Sequence, residues 1–246
     1  MQQKKRRTDM ELHRLTRHCW YSDSDPDTDR PSLGYILGND GRSIVVDCGN
    51  SPRHFREFIA LLREEKLPSP EYCILTHHHW DHVLGMSAVT IPVLACSLTQ
   101  RHLKEMAAWT SDDWKAFYDG NEFARAEYAC FKDITAHTAD IVFNDEITVE
   151  LGDISVIARH LEGPHSDDSV IVYIPSDGMI FAGDSSAGNF DTPNIAYDPL
   201  LLEKYSRSIL SMDFSCFLHS HRQPLDRRGT EDFLKTAKER GYYTFD

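Results

Sequence analysis

Directly after the apolar run Cys73-Ile74-Leu75 the chain reads Thr76-His77-His78-His79-Trp80-Asp81-His82, which sets four imidazoles and a carboxylate within six positions. Ionisable groups crowded this closely are costly to desolvate unless they are paired or share cations. The run therefore either lies in solvent as a His-rich loop or forms the edge of a metal site. On an extended turn, alternate residues point the same way, so His77 and His79 can face one cation. Asp81 and His82, in the turn that follows, can offer a second pair to a neighbouring one. Imidazole together with carboxylate suits Zn²⁺, and also Mn²⁺ or Fe²⁺.

Four other apolar runs lead to residues able to touch a metal. Ile44-Val45-Val46 ends at Asp47, and residues 154–158 lead through Gly163-Pro164 to His165. Met179-Ile180-Phe181-Ala182-Gly183 ends at Asp184, and Cys216-Phe217-Leu218 ends at His219-Ser220-His221. Strand ends and the loops beyond them are where α/β scaffolds gather functional groups, because rigid strands position the loops that carry chemistry. Five such endings point to one site. Taken alone, His165 reads as a turn residue and Asp184 as a helix cap; beside the run at 77–82 both read as ligands.

The remaining sequence fits one large domain. A chain of 246 residues, 41% hydrophobic and 26% charged, can bury a sizeable core and lies far from the disordered regime. The basic start Met-Gln-Gln-Lys-Lys-Arg-Arg is followed by no apolar segment, so it reads as a tail and not a signal peptide. No run approaches the roughly 18 apolar residues needed to span a bilayer, so no membrane association is expected. Six cysteines without CxxC spacing read as free thiols and suggest a cytoplasmic protein. A net charge of −13 argues against a nucleic-acid partner and leaves a small molecule as the expected substrate. Nothing in the sequence sets an oligomeric state.

Residues 1–30 are polar and read as a loop-rich extension, with the acidic stretch at 22–29 assigned no function. Short β-rich runs at 33–38 and 43–47 flank Asn39-Asp40-Gly41 as a hairpin. An amphipathic helix is expected over 53–66 and a strand over 72–76. Residues 100–132 form a helical insertion rich in aromatics, with Thr110 or Ser111 as a helix cap. Strand-like runs follow at 141–151, 153–159, 169–174 and 179–182. A helix over 199–212, a short strand at 216–218, and a helix over 230–240 with Gly241 beyond its end complete the pattern.

These five motifs, in this order over residues 33–236, resemble the metallo-β-lactamase superfamily. The resemblance implies an α/β (α+β) fold, a four-layer αββα sandwich of two mixed β-sheets flanked by helices, formed by a single domain over 31–246. It implies two divalent metal ions, Zn²⁺ foremost. His77, His79 and His165 would bind the first, Asp81, His82 and His221 the second, and Asp184 would bridge them. Asp47 would support the site from behind, since such carboxylates orient ligand imidazoles. His221 fits the family's last motif better than His219, which would be a nearby supporting group.

The implied function is metal-dependent hydrolysis, in which a dinuclear metal-bound hydroxide attacks an ester, lactone, thioester or phosphoester, with Asp81 and Asp184 orienting the proton. Secreted β-lactamases of the superfamily carry cysteine where Asp184 stands, and quorum-quenching lactonases carry tyrosine where Ala187 stands. A glyoxalase II-like thioester hydrolase and a mononuclear-iron oxidoreductase of the persulfide dioxygenase type are the alternatives. Flavodiiron members typically have glutamate where His79 stands. The insertion at 100–132 and the loop at 189–197 lie where the family's lids overhang the metals. Asn194, Tyr197 and Arg222 are the expected substrate contacts.

Overall fold

The computed structural model describes residues 10–244; the basic tail expected at residues 1–7 lies outside them. Strand β3 (Gly34–Leu37) pairs antiparallel with β4 (Ser43–Val46) across the expected turn. Strands β5 (Tyr72–Ile74), β6 (Val93–Cys96) and β7 (Ile141–Phe143) then add in parallel. Two strands on the other side, β1 (Leu12–Arg14) and β2 (Cys19–Ser22), complete a seven-stranded mixed sheet in the order β1-β2-β3-β4-β5-β6-β7.

The second sheet has five strands in the order β12-β11-β10-β9-β8. They are β8 (Glu146–Leu151), β9 (Ile154–His160), β10 (Val170–Ile174), β11 (Met179–Gly183) and β12 (Cys216–His219). Pairing is antiparallel except for the parallel pair of β11 with β12.

Strand periodicity divides the apolar residues into layers. Ile44 and Val46 face the second sheet and pack with Ile74, Leu94, Val156, Val172, Phe181 and Leu218. Val45, between them in sequence, points the other way. It packs with Phe55, Phe58 and Leu62 of helix α1 (Pro52–Glu64) and with Leu103 of a later helix. On the far face of the second sheet, Ile180 and Phe217 meet Leu202, Tyr205 and Ile209 of one helix and Leu234 of another. The result is the four-layer αββα sandwich.

Helix α1 begins where Ser51 accepts a hydrogen bond from the His54 amide and Pro52 occupies the first turn. A four-residue helix, α2 (Trp80–Val83), follows β5. The aromatic insertion is helical as expected, in α3 (Ser97–Ala107), α4 (Ser111–Gly120) and α5 (Glu122–Glu127), and Thr110 caps α4 through a reciprocal pair with Asp113. Helices α6 (Pro199–Leu210) and α7 (Arg227–Arg240) cover the second sheet, and Gly241 closes α7 at φ 75°.

Three expectations are corrected. Residues 1–30 are not simply loop-rich, because β1 and β2 belong to the first sheet and bury Cys19 and Tyr21 in the core between the sheets. These strands are three and four residues long, too short for an alternating pattern to stand out from polar surroundings. Strand β6 was not anticipated, although Val93-Leu94-Ala95-Cys96 is buried throughout, as suits an inner parallel strand. The run at 141–151 is two strands, because the chain leaves the first sheet at Phe143 and enters the second at Glu146.

Phe181 is 2% exposed at the centre of the inter-sheet core, whereas Leu200 is 82% exposed. Urea unfolding of Phe181→Ala should show a loss of about 3–5 kcal/mol. Leu200→Ala should stay within about 0.5 kcal/mol of the parent.

Candidate metal centre

Five segments converge at one edge of the sandwich, each leaving the end of a strand. At the end of β4, Asp47 takes a left-handed φ of 62°, a conformation that Asp tolerates better than most residues. This turn aims its carboxylate at the start of the next loop. Asp47 Oδ1 accepts from the Thr76 amide at 2.7 Å, and Oδ2 accepts from Thr76 Oγ1 and from His82 Nδ1, each at 2.8 Å. Thr76 Oγ1 donates its proton to Asp47, so it accepts from His77 Nδ1 at 3.1 Å. One buried carboxylate thereby orients two imidazoles and turns His77 Nε2 and His82 Nε2 inward.

His165 is fixed independently, since its Nδ1 donates to the Gly188 carbonyl at 3.0 Å. Its Nε2 lies 3.3 Å from His77 Nε2 and 2.9 Å from His79 Nδ1. Ligand atoms bound tetrahedrally at about 2.0–2.1 Å sit about 3.3 Å apart, so these three nitrogens have the spacing of a metal's coordination shell.

The second set repeats that spacing with mixed donors. Asp81 Oδ2 lies 3.0 Å from His221 Nε2 and 3.1 Å from His82 Nε2, while Asp184 Oδ2 lies 3.4 Å and 3.5 Å from the same nitrogens. Asp184 Oδ2 is also 3.9 Å from His165 Nε2, which makes this carboxylate the group common to both sets. His82 Nε2 and Asp184 Oδ1 are buried without a hydrogen-bond partner, a state that buried polar atoms rarely keep unless something else satisfies them. The donor types, spacings and orphaned atoms fit divalent metal ions.

His219 belongs to neither set, although its Nδ1 lies 3.7 Å from Asp184 Oδ1 and it lines the same edge. Its Nδ1 accepts from the His221 amide at 3.1 Å, which occupies that lone pair, and its ring stacks on Tyr243 at 5.7 Å. Gly183, at φ 54°, explains the close approach of the loops, since a Cβ there would lie 2.5 Å from Thr76 Oγ1.

The two sets differ electrostatically. Burial pushes His77, His79 and His165 below the usual imidazole range, His79 to about 3, and neighbouring imidazoles add to the effect for His77 and His79. Burial also opposes charge on His82 and His221, but Asp81 and Asp184 outweigh it, raising His82 well above the usual range and His221 to about 9. Asp81 and Asp184 are in turn held well below the usual carboxylate range, because His82 and His221 overcome the cost of burial.

A cleft of about 200 Å³ opens over both sets, walled by Trp80, Phe190 and Tyr243 with Ala187 beside them. Phe190 stands edge-on to His165 at 5.4 Å. The expected contacts Asn194, Tyr197 and Arg222 do not line this cleft. The Tyr197 hydroxyl turns inward and donates to the Ser186 carbonyl at 3.1 Å, and the Arg222 guanidinium lies over Tyr243 and Phe233. Asn194 lines a shallow surface groove with Ile195, Tyr242 and Tyr243. No residue of 100–132 reaches the cleft wall; that segment packs on the first sheet, and Phe117 supports Trp80 edge-on at 5.8 Å.

Asp29, in the acidic stretch to which the sequence reading gave no function, does line the cleft, with Oδ1 3.9 Å from His221 Nδ1. Burial and the nearby Asp81 push its carboxyl up to about 7. The available signal was Arg30, a cation directly after four aspartates, which pairs with Glu57 at 2.6 Å and Glu127 at 2.8 Å and pins the loop.

Residues 27–214 match the model of the metallo-β-lactamase superfamily, and the chain belongs to that superfamily of metal-dependent hydrolases. Among solved structures it is similar to a metallo-β-lactamase from Erythrobacter litoralis, with 19% identity, TM-score 0.66, and 95% of this chain and 98% of that one covered. Proteins of the same description from Pontibacter korlensis (18%, TM-score 0.64, 92% and 97%) and Hirschia baltica (20%, TM-score 0.62, 92% and 96%) are similar in the same degree. At these identities the likeness shows the fold alone. No curated protein matches the chain.

Removing the support behind the imidazoles should loosen metal without unfolding the protein. Asp47→Asn and Thr76→Val should each weaken Zn²⁺ binding by about 10- to 100-fold in a chelator competition. The pKa directions give a second expectation. Burial disfavours the protonated ring at His77, His79 and His165, whereas Asp81 and Asp184 favour it at His82 and His221. Calorimetry in buffers of different ionisation enthalpy should find more protons released on filling the second set than on filling the first.

Proposed function

We propose that this protein hydrolyses an ester-type bond of a small molecule with two divalent cations, Zn²⁺ in the first instance. His77, His79 and His165 would hold one, Asp81, His82 and His221 the other, and Asp184 would lie between them. The observation that carries this reading is the second donor set, with four atoms 3.0–3.5 Å from their neighbours and joined to the first set through Asp184. A single-iron site would need no such second set, which favours the two-metal reading over the oxidoreductase alternative.

Bound there, such a pair supplies an acidified water as nucleophile and a Lewis acid for the attacked oxygen. The chain's own contribution is placement and proton handling. Asp184 Oδ1 has no hydrogen-bond partner and, held ionised, can orient water at that edge by accepting its hydrogen bond. Asp81 Oδ2, held ionised between His221 and His82, keeps both rings turned inward. Trp80, Phe190 and Tyr243 exclude water from one side of the cleft and favour a substrate with an apolar portion.

Among the described residues no helix is long and apolar enough to cross a membrane. All six cysteines are free, which supports a reducing compartment such as the cytoplasm.

The test is a panel of carboxylic esters, lactones, thioesters and phosphodiesters assayed with the Zn²⁺-loaded protein and with His79→Ala and Asp81→Ala. Hydrolysis of at least one class should fall by at least about 100-fold in each variant and on chelation, and return when Zn²⁺ is restored to the parent. Hydrolysis that persists in both variants without metal would overturn the proposal.

A further inference from the structure

His78 belongs to the dense run at 77–82 but enters neither donor set. Its Nδ1 lies 3.0 Å from Asp168 Oδ1, and its ring stacks on that of His102, with centroids 4.0 Å apart and planes inclined by 19°. Asp168 is completely buried; its Oδ1 also accepts from Ser166 Oγ at 2.5 Å, while its Oδ2 has no hydrogen-bond partner. His102, on α3, reaches Asp167 Oδ1 at 2.8 Å, and Arg101 neutralises the other oxygen of Asp167 at 2.7 Å.

We propose that His78, His102 and Asp168 form a third metal site, separate from the cleft, for a divalent transition-metal ion such as Zn²⁺. One donor atom from each already lies within 4.8 Å of the others. The His78–Asp168 separation is close to the roughly 3.3 Å expected between tetrahedral ligands; closure requires the His102 ring to swing inward from its Nε2 contacts with Asp167 Oδ1 at 2.8 Å and Arg101 Nη2 at 3.1 Å. The side chains of His78 and His102 are 22% and 20% exposed, which opens the cluster to solvent and leaves room for water on the outer side of the ion. Two imidazoles and one carboxylate select Zn²⁺ and similar ions over Mg²⁺ or Ca²⁺, which prefer oxygen shells. The orphaned Asp168 Oδ2 supplies a further lone pair to a carboxylate that is already fixed in place.

The position gives the site a role. Asp168 shares its loop with His165, and His78 lies between His77 and His79, so an ion there fastens the two segments of the first donor set from behind. The site does not depend on the hydrolase reading, because its donors take no part in the cleft.

The test is equilibrium dialysis of the full chain against graded free Zn²⁺, with bound metal counted by mass spectrometry. The parent should saturate with one ion more than His102→Gln. His137→Gln, an exposed histidine elsewhere, should match the parent. Asp168→Asn should lose the same ion as His102→Gln, and millimolar Mg²⁺ should not displace it. Equal saturation of the parent and His102→Gln would overturn the proposal, as would loss of the same ion from His137→Gln. Because the readout is a difference between chains, it stands whether the cleft holds two ions, one or none.

Discussion

The geometry of the centre depends on one carboxylate that touches no cleft. Asp47 sits at the end of a core strand in a left-handed turn, and its two oxygens hold the Thr76 amide, the Thr76 hydroxyl and the His82 ring. Through Thr76 the same hub orients His77. An imidazole binds a metal through only one nitrogen, so the hydrogen bond at the other decides where that nitrogen points. Asp47 makes that decision for one ring in each donor set, which is why the two sets share a register.

The rest of the sandwich brings the remaining donors to that register. Parallel strands β4 and β5 in one sheet, and β11 and β12 in the other, all end at the same edge. The Val170 amide donates to the Thr76 carbonyl at 2.7 Å and ties the two sheets together beside the centre. Gly183 allows β11 to pass against Thr76, and Asp184 emerges directly from that contact. Asp184 Oδ2 lies within 3.9 Å of His165 in one set and 3.5 Å of His82 in the other, so an error in sheet spacing would separate them. The charge pattern follows from this placement, with protonation disfavoured in the first set and ion pairs in the second.

Much of this was legible in the sequence where chemistry and periodicity coincide. The run at 77–82, the strand endings at Asp47 and Asp184, and the hairpin around Gly41 carry local signals that survive folding. The last motif favours His221 over His219; in the structure the His221 amide donates to His219 Nδ1 at 3.1 Å and His221 Nε2 lies 3.0 Å from Asp81 Oδ2. Strands β1 and β2 were illegible because so few residues carry no period, and the inner strand β6 because its short apolar run lacks alternation. Side-chain direction was the other blind spot. Tyr197 and Arg222 lie near the centre in sequence and fold, yet one hydroxyl turns into the core and one guanidinium onto an aromatic face. Asp29 enters the cleft on a loop that buried Arg30 anchors to Glu57 and Glu127 and Asn50 anchors at the Thr28 carbonyl, partners too far along the chain for a local pattern to encode.

The central claim is that two cations share this edge of the sandwich. Anomalous diffraction from crystals of the Zn²⁺-loaded protein tests it most directly. The account predicts two peaks in the cleft, one against His77, His79 and His165 and one against Asp81, His82 and His221, with Asp184 touching both. A cleft with a single peak, or peaks held by other residues, would contradict it.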